Sequence, residues 1–335
     1  MIHSCLRGHP VLVCLVAGGT MGLVACGGAP PEESATEDVA SSQATEDAVD
    51  VVDTATLEPG GAHAMPLRDP SVRGGEAESL VAATSAHLVY YVGKVVSNAK
   101  VVEVLYGSGT YLSNITSSTA PSMGSFYSAV MNSAYVDWLR EYNTPSQTIG
   151  RGSFLSKVQV TPARSRNGST ISDRSIQSEI SAQIAAGKLP VPDADTIYMV
   201  NFPKGKRISQ GGSSSCVSGG FCAYHGTFKR NGTNVYYGVL PDMSAGSGCD
   251  QGCGSSTPFN NQTSVASHEL IETITDAEVG LATVVGPPLA WYDTTYGEIG
   301  DICNASQGTI TASDGRTYTV QKEWSNASNA CIVHK

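Results

Sequence analysis

Apolar and polar residues follow two different periods from about residue 87 to the end of the chain. Short runs rich in Val, Ile, Tyr and Phe, bounded by Gly, Pro, Asn and Ser, predict β-strands. These runs lie within residues 87–107, 153–162, 195–203, 221–228 and 234–242. The last two are close enough to form a hairpin, and a second hairpin is predicted where Asp314 and Gly315 separate two alternating runs.

Apolar residues at helical spacing predict three helices between these strands. The helical segments lie within residues 125–143, 172–190 and 264–278. Because strands and helices are interleaved, the order of elements indicates one mixed α/β domain rather than two. We assign residues 80–335 to this domain, a length that suffices for a single sizeable core.

The first 25 residues are typical of an export signal. Arg7 gives a short basic start, an apolar stretch follows from Val11, and small residues precede Cys26. The letters LVAC that end at Cys26 resemble a bacterial lipobox, in which this cysteine would become the lipidated first residue of the mature protein. The lipoprotein would have the cell-envelope membrane as its partner. The alternative is a soluble secreted protein cleaved near the same place.

Residues 26–79 are predicted to be a disordered, acidic linker. The segment is rich in Ala, Ser, Thr, Glu, Asp and Pro, and it has too little apolar mass to offset the entropy of ordering. Residues 27–79 hold 12 acidic and 2 basic residues, a net charge of −10, which equals the formal charge of the whole chain. The rest of the chain therefore carries equal numbers of acidic and basic residues. Because no basic patch or nucleic-acid motif is present, we do not expect a nucleic-acid partner.

Cysteine usage agrees with export. Six cysteines follow Cys26, and an even number in an exported domain predicts disulfide bonds. The spacing of Cys249 and Cys253 would permit a metal site, but no second Cys/His pair is placed to complete one. We predict that near neighbours pair, giving Cys216–Cys222, Cys249–Cys253 and Cys303–Cys331.

The third helical segment, SVASHELIETITDAE at 264–278, concentrates polar groups on one side. At about 100° per residue, His268, Glu269, Glu272 and Asp276 fall within one arc, while the opposite side is apolar. His268 and Glu272 are one turn apart, so their side chains can converge on a single ion. The competing interpretation is a solvated polar face.

Zinc is the ion that this helix favours. It accepts both imidazole nitrogen and carboxylate oxygen, so Glu272 can stand where H-E-x-x-H has its second histidine. Glu269 occupies the position of the general base in that motif. Calcium is the alternative, since it takes oxygen ligands, but His268 argues for a transition metal.

A second acidic cluster follows the helix. Asp293, Glu298 and Asp301 could supply the remaining ligands from a loop, although Asp and Gly there could equally serve turns. His225 is a further candidate, either as a ligand or as an oxyanion stabiliser. Taken alone, it could also be an ordinary structural or surface histidine.

Several segments together resemble the bacterial and fungal secreted relatives of the plant EXORDIUM (phosphate-induced protein) family. The most specific pair is SHELIETITD with GEIGDIC, and the resemblance extends over roughly residues 91–331. The other segments are YYVGKVVSNAKVVEVLYG, NSAYVDWLREYN, CAYHG, WYD and EWSNASNAC. One departure is Ala277, which follows the helix aspartate where the family usually has proline.

The resemblance implies an exported, zincin-like domain rather than a particular reaction. Carried over position by position, it marks candidate site residues on the helix, in the later loop and in the CAYHG segment. They are His268, Glu269, Glu272, Asp276, Glu298, Asp301 and His225, the last with its neighbour Cys222.

We therefore predict an exported, lipid-anchored, monomeric zinc-dependent hydrolase, and among hydrolases a peptidase. His268 and Glu272 would bind zinc, with Asp301 or Glu298 completing the set, and Glu269 would deprotonate water. Its substrate would be protein or cell-wall material. The alternative is a non-catalytic cell-surface or matrix-binding module, in which the same cluster holds a structural zinc or calcium ion, or none.

Overall fold

The computed structural model describes residues 64–68 and 85–335. The predicted export signal, Cys26 and most of the predicted linker lie outside the described residues. Within these residues, no helix is both long and apolar enough to cross a lipid bilayer.

The described residues form fifteen strands and five α-helices, numbered in chain order. Strands β1 to β15 are Ala64–Pro66, Val89–Tyr90, Lys100–Tyr106, Ser153–Val160, Thr170–Ser172, Thr196–Asn201, Arg207–Gln210, Ser213–Ser214, Phe221–Arg230, Thr233–Leu240, Trp291–Tyr292, Gln307–Thr311, Thr317–Gln321, Glu323–Ser325 and Ala330–Ile332. Helices α1 to α5 are Ser113–Thr116, Met123–Met131, Ala134–Asp137, Asp173–Ala185 and Pro258–Thr275. Short 3₁₀-helices lie at Trp138–Tyr142, Arg164–Arg166, Val279–Leu281 and Asp301–Cys303.

A six-stranded mixed sheet lies at the centre, in the order β1-β9-β10-β6-β3-β4. Strands β10, β6, β3 and β4 run parallel to one another. Strand β9 is antiparallel to β10, as the predicted hairpin requires, and β1 is antiparallel to β9. The parallel strands β3 and β6 are nearly continuous buried runs because both faces of the sheet are covered. The predicted mixed α/β fold is confirmed.

Helices pack on both faces of this sheet. On one face, Ile176, Ile180 and Ile184 of α4 belong to a buried cluster with residues of β3, β6, β9 and β10. On the other face, α2 and α5 share a second cluster, to which Val101 and Leu105 of β3 contribute. Alternate residues of β3 therefore enter opposite cores, as the period of a strand requires.

Helix α5 is the central helix of the domain. Thr257 caps its start by accepting from the Asn260 backbone N–H, and Pro258 occupies the first turn, where a missing N–H costs nothing. All residues from Asn261 to Thr275 are buried, because the helix lies between β9 and β10 on one side and β13 on the other. The interpretation of its polar side as a solvated face is wrong.

The predicted helix at 125–143 is broken. Helix α2 begins earlier, after a capping box formed by Ser122 and Ser125, and ends at Met131. After Asn132 and Ser133 the chain restarts as α3 and continues as a 3₁₀-helix. The apolar side chains that led to the prediction are nevertheless buried, because both pieces pack them into the same core.

The disulfide pairing corrects two of the three predicted bonds. The described bonds are Cys216–Cys249, Cys222–Cys253 and Cys303–Cys331, so only the last was predicted. The first two join the segment that leads into β9 to the loop before α5. Sequence neighbours do not pair because the two segments lie beside each other and present their cysteines across the gap. Three disulfides indicate an oxidising compartment, as expected of an exported protein.

Residues 64–68 lie inside the segment predicted to be a linker, yet three of them form strand β1. Met65 of this strand is fully buried. Met65 and Leu67 stand among small, polar and acidic residues, so the composition of the segment gives little signal of a strand.

Candidate metal centre

The centre begins with two residues of α5. His268 and Glu272 are both fully buried, and Nε2 of the imidazole lies 3.2 Å from Oε1 of the carboxylate. This is the convergence that one helical turn of separation predicts.

Asp301 reaches the same point from the turn after β11. Its Oδ1 lies 3.8 Å from Nε2 of His268, and its backbone N–H donates to Oε1 of Glu272 at 3.1 Å. His268, Glu272 and Asp301 each offer a ligand atom, and these atoms lie within 4.8 Å of one another. The structure therefore places Asp301 of the later acidic loop beside His268 and Glu272 of the helix.

Two glycines in the GEIGD segment make this approach possible. A Cβ on Gly300 would lie 2.8 Å from Nδ1 of His268 and 3.0 Å from Oε1 of Glu272. A Cβ on Gly297, which has a φ of 86°, would collide with Oδ2 of Asp301. Both positions need glycine because the backbone of the turn is pressed against the site.

Strand β9 contributes His225. Its Nδ1 lies 3.3 Å from Oε2 of Glu269 and 3.3 Å from Oε2 of Glu272. Its Nε2 lies 3.5 Å from Oε1 of Glu298. His225, Glu269 and Glu272 form a second group of possible ligands within 4.8 Å of one another. His225 therefore lies in the centre, and Glu298 lies beside His225 rather than beside His268.

The two groups share Glu272. Its Oε1 faces His268 and its Oε2 faces His225, so the carboxylate lies between the two imidazoles. Among the described residues, Nε2 of His268, Oε2 of Glu272 and Oε1 of Glu269 have no hydrogen-bond partner. Buried polar atoms are nearly always satisfied, so these three atoms fit the ligands of a cation.

The remaining two aspartates differ in their roles. Asp276 caps the end of α5, and its Oδ1 accepts from the backbone N–H of Ala290 at 2.8 Å, while Oδ2 has no partner among the described residues. Asp293 accepts backbone N–H groups of Thr295, Tyr296 and His87. Asp293 therefore organises a turn and belongs to neither group of possible ligands, in agreement with the structural alternative for that loop.

Gln321 of β13 is a site residue that the sequence analysis missed. Its Oε1 accepts from the Ala305 N–H at 2.9 Å, which orients the amide. Its Nε2 then donates to the carbonyl of Gly300 and faces Nδ1 of His268, both at 2.8 Å. A neutral His268 that accepts from Gln321 carries its proton on Nε2. Binding an ion through Nε2 would move that proton to Nδ1 and require the amide to turn over.

Glu323 and Tyr135 extend the polar region behind the helix. The Tyr135 hydroxyl contacts Oε1 of Glu323 at 2.6 Å and the carbonyl of Gln321 at 2.7 Å. The sequence analysis did not name these residues as site candidates, although they lie in the segments NSAYVDWLREYN and EWSNASNAC. The available signal was the alternation of β13 and β14, which does not distinguish a buried polar face from a solvated one.

Charge in the centre is strongly unbalanced. Burial alone would lower the pKa of His268, but Glu272 and the other carboxylates outweigh it and hold that pKa well above its usual range. Burial raises the pKa of Glu269 to about 7. Burial, together with the charge of Glu272, raises the pKa of Asp301. Without a cation the cluster thus retains extra protons, which a divalent ion would replace.

Access to the centre is limited to one side. The side chains of His225, His268, Glu269 and Glu272 are at most 1% exposed, whereas that of Asp301 is 17% exposed. The solvent-facing edge of the centre is therefore at Asp301.

No family model matches the chain, and no curated protein or solved structure is similar enough to count as a match. The resemblance to the EXORDIUM family stays a prediction from the motifs.

Proposed function

We propose that the domain is a zinc-dependent hydrolase that acts on peptide bonds. The observation that carries this proposal is that ligand atoms of His268, Glu272 and Asp301 lie close together. Glu269 follows His268 in the helix and belongs, with Glu272, to the neighbouring group. His268 and Glu272 come from one helix and Asp301 from a later turn, so the fold itself assembles the set.

The residues present fit a zinc ion. One imidazole and two carboxylates are an accepted donor set for zinc, which takes three protein ligands and keeps a fourth position open in catalytic sites. The ring nitrogen disfavours calcium, which prefers oxygen. The unpartnered Nε2 of His268 is buried and points into the set, as a ligand atom would.

Bound zinc would supply an activated water and a Lewis acid for the substrate carbonyl. The chain itself would supply the proton acceptor. Oε2 of Glu269 is held near Nδ1 of His225 at 3.3 Å, while Oε1 has no partner among the described residues and can take up a proton. A buried carboxylate oxygen without a partner among the described residues is placed to act as a general base.

The proposal is tested with zinc content and peptide hydrolysis measured on the same samples. Wild type should contain zinc by mass spectrometry and cleave a quenched fluorescent peptide library. Glu269→Gln should keep its zinc and lose about 100-fold or more in rate, since general-base catalysis contributes on this scale. His268→Ala should lose both zinc and activity.

Two control variants make the result specific. Glu278→Gln changes a half-buried glutamate just after α5, and His334→Ala changes an exposed histidine near the C-terminus. Both should behave as wild type. A wild-type protein without zinc, or one in which Glu269→Gln hydrolyses peptides normally, would contradict the proposal.

Burial favours a second candidate function, a non-catalytic module with a structural metal ion. Closed sites are typical of structural zinc, and four of the side chains in this centre are almost completely buried. In that case removal of zinc should lower the melting temperature strongly. Glu269→Gln should then alter neither a binding function nor any rate.

We also propose attachment to the cell envelope through Cys26, on the lipobox resemblance of the residues that precede it. Cys26→Ser should move the protein from the membrane fraction into the soluble fraction. Cys14→Ser, in the predicted signal, serves as the control and should leave the distribution unchanged.

A further inference from the structure

Residues 64–68 form an extended segment that covers one edge of the central sheet. Strand β1 pairs antiparallel with β9, with Ala64 opposite Tyr224 and Met65 opposite Ala223. The pairing continues beyond the strand, because the Leu67 N–H donates to the carbonyl of Gly220 at 3.0 Å. Contacts of this kind recognise a backbone and tolerate many sequences.

We name the surface that holds residues 64–68 the edge groove, formed by β9, Gly220, Gly252 and Asn304. The Arg68 N–H donates to the carbonyl of Gly252 at 3.2 Å. A Cβ on Gly252 would collide with the carbonyl oxygen of Arg68, so the groove wall depends on glycine at this position.

Disulfide bonds hold the walls of the edge groove. Cys222 lies in β9, and its bond to Cys253 ties this strand to the loop that carries Gly252. The Cys216–Cys249 bond joins the same two segments a short distance away. The walls of the groove are therefore tied covalently to each other, which limits the entropic cost of binding an extended chain.

One side chain of the segment enters the protein. Met65 is 0% exposed and belongs to the same core cluster as Ala223. Its neighbour Ala64 joins the cluster on the other face of the sheet, and Pro66 is exposed. Such alternation is typical of a strand. The groove therefore has one pocket, which holds the unbranched apolar side chain of Met65.

The edge groove leads to the metal centre. Ala64 lies opposite Tyr224, the residue directly before His225, and the strands are antiparallel. A chain that extends β1 toward its own N-terminus therefore passes His225. On the other wall, Asn304 follows the 3₁₀-helix that carries Asp301, and its Nδ2 donates to the carbonyl of Pro66 at 3.1 Å.

We propose that the edge groove is the binding site for an extended peptide with an apolar side chain in the Met65 pocket, and that residues 64–68 fill it as a displaceable internal mimic of that peptide. Naming the peptide as a substrate rests on the proposed function. The binding itself rests only on the edge groove. A strand of three residues gains few contacts for the ordering it requires, so a competing peptide can replace it.

The first test uses the full exported chain and a fluorescein-labelled synthetic peptide with the sequence of residues 62–70, AHAMPLRDP. Met65→Asp should expel the internal segment, because a charge cannot occupy the apolar pocket. Fluorescence anisotropy should then show at least tenfold tighter peptide binding than to wild type. Pro66→Asp adds the same charge at an exposed position of the same strand and should bind as wild type does. Equal binding by all three proteins would overturn the proposal.

A second variant covers the case in which Met65→Asp fails to fold. A recognition sequence for a site-specific protease is inserted between residues 74 and 75 of the full chain, and the purified protein is cut there. The N-terminal fragment should exchange with the labelled peptide, and a peptide with Asp in place of its methionine should not exchange. Retention of the fragment without exchange would overturn the proposal.

Peptide binding and hydrolysis are separable readouts. His268→Ala should bind the labelled peptide after cutting as well as wild type does, because His268 lies on α5, outside the edge groove. Peptide binding without zinc-dependent hydrolysis would contradict only the proposed function. Hydrolysis without peptide exchange would contradict only the proposal that the edge groove binds a peptide.

Discussion

Nδ1 of His225 lies 3.3 Å from a carboxylate oxygen of Glu272, which joins the sheet to the central helix at a fully buried point. His225 belongs to β9 and Glu272 to α5, and nothing in their sequence spacing predicts the contact. The contact makes the two possible ligand groups one connected centre.

His225→Ala should destabilise the domain. The change leaves Oε2 of Glu269 buried without its hydrogen-bond partner, and an unsatisfied buried group costs about 1–3 kcal/mol. Chemical denaturation of the metal-free protein measures the loss. His87→Ala removes an exposed ring and should stay within about 0.5 kcal/mol of wild type. Equal stability of the two variants would contradict the contact.

Gly300→Ala should impair zinc binding through a single methyl group. The new Cβ would press on Nδ1 of His268 and Oε1 of Glu272 and shift both from their positions. We expect zinc affinity to fall about 10–100-fold, as when a residue that orients a ligand is lost. Competition with a chelating dye measures it. Gly150→Ala is the control, since its Cβ meets a flexible side-chain amide at 3.2 Å. Unchanged affinity in Gly300→Ala would show that the site does not need the close turn.

Peptide mapping without reduction should recover Cys216 linked to Cys249 and Cys222 linked to Cys253. Recovery of the near-neighbour pairs would contradict the fold around the edge groove. Replacing both members of the Cys222–Cys253 bond by serine should lower the free energy of unfolding by about 3 kcal/mol on the loop-entropy account, because the remaining Cys216–Cys249 bond joins the same two segments and only a short loop is opened.

Glu103 should make stability depend on pH. It lies in β3, is fully buried, and neither carboxylate oxygen has a hydrogen-bond partner among the described residues. Burial raises its pKa to about 8, although the charge of Lys157 opposes the shift. The folded state therefore keeps a proton that the unfolded state releases. The contribution of this proton to the free energy of unfolding is complete below pH 4.5, the ordinary pKa of a glutamate. It is lost as the pH rises toward 8.

Glu103→Gln isolates that effect. The amide cannot ionise, so the variant should gain stability relative to wild type as pH rises from 5 to 8, by about 1–3 kcal/mol. Urea denaturation at several pH values measures the difference. A difference that stays constant over this range would show that Glu103 does not titrate there.

The sequence predicted those features that depend on local spacing. His268 and Glu272 share a helix turn, so their convergence follows from helix geometry. The β9–β10 hairpin and the turn at Asp314 and Gly315 follow from alternation and turn chemistry. The mixed α/β class follows from the order of such elements.

Features that depend on which elements face each other were not predictable in the same way. His225 meets Glu269 only because β9 lies against α5, and the disulfides of Cys216 and Cys222 join β9 and the residues before it to the loop before α5. Periodicity could not show that both sides of α5 are buried, since a polar face has the same pattern whether it meets water or a metal ion. Strand β1 was missed because its two buried residues, Ala64 and Met65, stand in a segment whose composition is mainly small, polar and acidic.

The proposed function requires that His268, Glu272 and Asp301 hold a zinc ion. Diffraction from crystals of the exported protein, measured on both sides of the zinc absorption edge, locates such an ion. We expect one anomalous peak about 2.0–2.2 Å from Nε2 of His268 and from an oxygen of each carboxylate. No peak in the centre from a protein prepared with zinc present, or a peak only at surface residues, would contradict it.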